Sequence, residues 1–151
     1  MSGGPTVYMT GLEDVVKNIK RVDDIYARKI LRPSVFAALK PIQAQAKRNA
    51  KWASIRKLIS RRAHINKIKD VKGKVYLRRD LIKTPDGEKV DRRTVKVDGR
   101  NVGMEVVGNI LEFGHPAMWQ PMPFMRPARD QAAGQAKIVL ETELRKRMKA
   151  L

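Results

Sequence analysis

The chain has 151 residues, enough for one compact domain and too few for two of ordinary size. It contains no cysteine, which excludes a disulfide scaffold, a thiol nucleophile and the common thiolate zinc sites. Its formal net charge of +18 calls for an acidic partner: nucleic acid, an acidic protein surface or an anionic membrane.

The charge is unevenly placed. Fourteen Lys or Arg and a single acid, Asp70, fall between Lys40 and Arg79, so +13 of the net charge sits in that stretch. Tryptophan, tyrosine and phenylalanine together number eight, so the core must be aliphatic. No apolar run approaches the roughly 20 residues of a membrane span. Met1-Ser2-Gly3-Gly4-Pro5 lacks the basic and then apolar order of a signal peptide. The expectation is a protein made and assembled in cytosol, without a membrane partner.

Residues 1–9 read as a flexible arm, and 10–151 as a single domain. Thr10 and Glu13 form a capping-box pattern. Leu12, Val15, Val16, Ile19 and Val22 follow at helical spacing, which predicts a helix over roughly 11–26. A second helical pattern runs from about Pro33 to Lys51. Pro33 suits a first turn, and Pro41 inside the pattern predicts a kink or a break. Residues 52–62 continue as a third helix or a basic arm.

The period then changes. Residues 74–78 alternate and predict a strand, and Thr84-Pro85-Asp86-Gly87 predicts a turn. Residues 94–97 and 101–107, joined at Asp98-Gly99, predict a β-hairpin, because both turn positions tolerate positive φ. Residues 110–113 read as a further short strand. A proline-rich loop follows, then a last helix from about Arg126 to Lys149 with Pro127 in its first turn. The order predicts an α+β fold, a mostly antiparallel sheet packed against N-terminal and C-terminal helices. Leu12, Val15, Ile19, Leu39, Val106 and Ile110 are the predicted core, and Phe124 is predicted to anchor the last helix.

Catalysis has little support. His64 and His115 are the only histidines, and metal-ligand spacing and a glycine-rich phosphate loop are both missing. Asp23-Asp24 and Asp86/Glu88 read as a solvated helix face and a turn. The expectation is no enzyme, no cofactor and no metal. The basic stretch reads either as a partner face, with Arg48, Lys51, Arg56, Lys57, Arg61, Arg62, Lys67 and Lys69 as its candidates, or as a solvated helix face. With only Trp52 and Tyr76 interleaved, it does not predict a stacking platform for single strands. Met118, Trp119, Met122, Phe124 and Met125 either fold back over the core or form an assembly contact.

Leu111-Glu112-Phe113-Gly114, followed by Met122-Pro123-Phe124-Met125-Arg126-Pro127-Ala128, resembles the "EFG … PF-x-RPA" signature of the neck or tail-completion family of long-tailed, lambda-like phages. Gly11-Leu12-Glu13 leading into a helix and then a basic helical stretch is similar to that family's layout. The resemblance spans roughly 10–150. It implies a non-enzymatic virion protein that forms a ring, typically a hexamer, between head-closure components and the tail terminator or tail tube. It also implies assembly in the host cytoplasm. Glu112, Phe113, Gly114, Met122, Phe124, Arg126 and Pro127 would then be the signature and assembly loop. The basic face would meet acidic neighbours or the end of the genome DNA. The alternative is a basic nucleic-acid-binding accessory protein without catalytic activity.

Overall fold

The structure, a computed structural model, describes residues 23–115 and 120–151. The expected arm, most of the first helix and its core candidates Leu12, Val15 and Ile19 lie outside the described residues, as do Met118 and Trp119. Among the described residues, no helix is long and apolar enough to cross a membrane.

The fold is α+β. A helix runs without interruption from residue 23 to residue 49, with a π-helical segment, Tyr26–Leu31, leading directly into α1, Arg32–Asn49. The sequence pattern predicts a fresh start at Pro33. Instead the chain widens one turn ahead of that proline. Arg32 N–H donates to the Ala27 carbonyl, and the buried Ser34 hydroxyl donates to the Ile30 carbonyl at 2.7 Å. The wide turn makes room for the proline ring, and the helix continues through it. Pro41 likewise lies within α1 and does not break it. Ala38 and Ala46, on either side of it, are buried.

Residues 52–62, expected to be one helix or an arm, divide in two. A short helix α2, Ala53–Leu58, gives way to strand β1, Ile59–Ile65. Ile55, Leu58 and Ile59 are all buried, and from Ile59 onward the inward residues alternate. β1 pairs antiparallel with β2, Val71–Leu77, in a register that sets Ala63 opposite Gly73 and Arg62 opposite Lys74. The face carrying Ala63 and Gly73 lies on α1. A Cβ at Gly73 would come within 2.6 Å of Val35 Cγ1 and 2.9 Å of Leu39 Cδ1, so only glycine permits this approach. Leu39 is half-buried at that contact.

Two further hairpins follow, β3 (Leu81–Lys83) with β4 (Lys89–Asp91), and β5 (Thr94–Val97) with β6 (Arg100–Gly103). Asp98 and Gly99 take φ of 49° and 74°, the left-handed pair that a tight two-residue turn requires. Among the described residues, the strands form three separate two-stranded antiparallel ladders rather than one sheet.

The expected strands at 101–107 and 110–113 are overturned beyond Gly103. Met104–Phe113 is a helix, α3. Met104, Val107, Gly108 and Leu111 are buried at helical spacing, whereas Val106, predicted to be core, is exposed and Ile110 is half-buried. A period of 3.6 therefore wins over the apparent alternation. The last helix, α4, spans Met125–Lys149 and packs along α1 through the small side chains Ala128 and Ala132. Gln45 and Asn49 of α1 both donate to Gln131 Oε1, at 3.0 and 3.2 Å. The central cluster joins Ala46, Ile55, Leu58, Val107, Leu111 and Phe124. It is aliphatic but for Phe124.

Candidate functional site

The two regions singled out by the sequence are the signature segment and the basic stretch. Glu112 lies in the last turn of α3, and its relative exposure is 4%; it is the only charged residue among the buried ones described. Gly114, at φ 83°, turns the chain out of that helix, and its N–H donates to the Ile110 carbonyl. The chain returns at Met122, whose N–H donates to the Leu111 carbonyl at 2.6 Å.

The start of α4 is thereby brought onto Glu112. Oε2 accepts the Phe124 and Met125 N–H groups at 2.7 and 2.9 Å. Oε1 accepts the Arg126 N–H at 2.9 Å and its Nε at 3.1 Å. Arg126 Nη2 donates in turn to the Glu112 carbonyl at 2.7 Å. Phe124, at the N-cap position, supplies no side-chain cap of its own. A carboxylate from α3 therefore caps α4, and Pro127, next in line, has no N–H to satisfy. Burial alone would push the Glu112 carboxyl up. The three backbone N–H groups and the Arg126 guanidinium outweigh burial and hold it below the usual carboxylate range.

Glu112, Phe124, Arg126 and Pro127 thus meet at one joint, with the Phe124 ring in the core. Phe113 and Met122 remain exposed. The Arg126 guanidinium stands 5.1 Å from the Phe113 ring centre. Beside the joint lies a cleft of about 240 Å³, whose lining includes Trp52, Leu111, Met122 and Phe124. At the loop's start His115 Nε2 lies 3.1 Å from Asp98 Oδ2, linking the loop to the β5–β6 turn.

The basic candidates do not form one face. Arg56 donates to the Ala50 and Lys51 carbonyls at 2.6 and 3.0 Å, so it fastens the α1–α2 connection. Arg48, Lys51 and Lys57 are exposed. Arg61 points to the α1 side of β1. Its guanidinium stacks 4.2 Å from the Phe36 ring centre, and its Nη1, shielded from solvent, has no hydrogen-bond partner. Arg62 is exposed opposite Lys74. Lys67 is exposed in the β1–β2 turn, and Lys69 pairs there with Asp24 at 3.2 Å.

Two residues that sequence reasoning passed over, Arg28 and Arg32, complete the group around Arg61, Arg62, Lys67 and Lys69. The signal was present: Arg28, Arg32 and Phe36 are spaced by four, which places them on one helix face. It was hidden because the expected helices stopped near 26 and resumed at about Pro33, which left both arginines between them. Among the described residues, no group of three or more His, Asp or Glu side chains could hold a metal ion.

No family of known proteins, no curated protein and no solved structure matches the chain.

Proposed function

We propose that this chain is a structural protein of a tailed-phage virion, forming a closed ring at the head–tail junction that completes the tail and joins it to the filled head. The observation that carries this reading is the Glu112–Arg126 joint. The residues on which the resemblance rests are a single physical device, in which one buried carboxylate ties α3 to the start of α4. The exposed Phe113 and Met122 border it, together with Trp52. Large apolar groups exposed beside a well-anchored joint suit a subunit contact. A ring needs two different complementary patches on each subunit, and the joint offers one of them.

A second reading, a nucleic-acid-binding accessory protein without catalytic activity, is favoured by the arginines collected beside Phe36. The two differ in where the protein ends up, in the virion neck or only in the infected cell. Electron microscopy of the purified full chain, alone and mixed with tails lacking it, tests the first reading. Closed rings seated on the head-proximal end of the tail are expected. Tails left bare, with no ring in either sample, would overturn it.

A further inference from the structure

Two adjoining clefts, of about 400 and 490 Å³, lie between the first helix and β1. Both include Arg28 and Arg32, so they form one continuous groove. Arg61 and Arg62 line its first half, where Phe36 and Pro33 supply the apolar surface. Lys67 and Lys69 line its far end, and Asp24, the acid that lines it, is already paired with Lys69.

We infer that this groove holds the phosphodiester backbone of DNA, without reading its sequence. Arg28 and Arg32 reach the first cleft from the helix, and Arg61 and Arg62 reach it from β1. A cleft lined by four arginines suits a polyanion. Guanidinium groups, weakly hydrated and forked, suit phosphate oxygens. Phe36 stacks on the Arg61 guanidinium and holds it at the cleft wall. An acidic protein would also meet these charges. A protein interface, however, has an apolar centre inside a polar rim, and here Pro33, Phe36, Ala63 and Ile65 are outnumbered by six lysines and arginines.

The inference deepens the neck reading and rests on it for the choice of DNA as the polyanion. The test uses the full chain and a fluorescent, random-sequence DNA duplex, with binding followed by anisotropy over a range of salt concentrations. Arg28→Gln/Arg62→Gln is the groove variant, since both side chains are exposed and neither is hydrogen-bonded among the described residues. Lys83→Gln/Lys89→Gln, an exposed cross-strand pair on the β3–β4 hairpin, removes the same charge elsewhere. The groove variant should bind about tenfold or more weakly, with the log–log salt slope reduced by about two. The hairpin variant should stay within about twofold of the parent. If the double variant fails to fold, Arg28→Gln alone should lower the slope by about one. Equal losses in both variants, no binding at low salt, or equally tight binding of polyglutamate would each overturn the inference. Absent DNA binding with rings still formed would sink the groove and leave the neck reading standing. DNA binding without rings would do the reverse.

Discussion

Glu112 and Arg126 close on each other twice: the Arg126 Nε meets the Glu112 carboxylate at 3.1 Å, and its Nη2 meets the Glu112 carbonyl at 2.7 Å. The same carboxylate accepts three backbone N–H groups at the start of α4. Its removal leaves those donors buried or half-buried without acceptors, and Arg126 without its partner. Glu112→Ala should therefore lower stability by about 2–5 kcal/mol, more than an ordinary helix cap contributes. Denaturant titration of the full chain checks this. A loss under about 1 kcal/mol would show that the joint is replaceable.

The joint also sets a pH dependence. Glu112 titrates lower in the folded chain than in the unfolded chain, where its value is about 4.3. The folded state thus binds fewer protons, and the contribution is complete above the unfolded value. It is lost as pH falls through the lowered folded value. Melting temperature should drop on acidification below about pH 4.5 more steeply in the parent than in Glu112→Gln, which cannot titrate there. Parallel acid limbs in the two proteins would count against the joint as the source.

Phe124 is 2% exposed and is the aromatic member of the aliphatic cluster. Phe124→Ala leaves a cavity beneath the first turn of α4 and should cost about 3–5 kcal/mol by denaturant titration. A loss below about 1 kcal/mol would show that the site collapses without harm.

Much of the fold was legible where pattern and turn chemistry agree. The Asp98-Gly99 hairpin, the 84–87 turn and the last helix all stand close to their expected places. The errors have local causes. Val106 and Ile110 lie in a segment rich in β-branched residues, and that composition suggested strands, yet the chain buries Val107 and Leu111 as a helix instead. Pro33 carried a start signal and Pro41 a break signal, but a π-helical turn and packing against α4 keep the helix whole. Glu112 could be named from the signature but its task could not, because its partners lie twelve to fourteen residues away across a loop. Arg56 shows the opposite limit: composition assigned it to a partner face, and the structure spends it on two carbonyls of its own chain.

Met122 is 42% exposed beside Trp52, and its own backbone bond to Leu111 does not depend on its side chain. Met122→Asp should therefore change folding stability by no more than about 0.5 kcal/mol. If the apolar border of the joint is a subunit contact, the same variant should fail to cap tails, because a charge is then desolvated at the contact. Thermal melting and an in vitro tail-joining assay read the two effects separately. Normal joining by a normally folded variant would remove Met122 from the assembly surface.

The neck assignment is tested most directly by the protein composition of purified virions, measured by quantitative mass spectrometry with labelled peptides of this chain as standards. The account predicts a fixed, stoichiometric amount, as a closed ring requires, and about six copies for each particle if the ring is the hexamer that the resemblance implies. The same peptides should be retained on isolated tails. Virions that are infectious and carry none of this chain would contradict it.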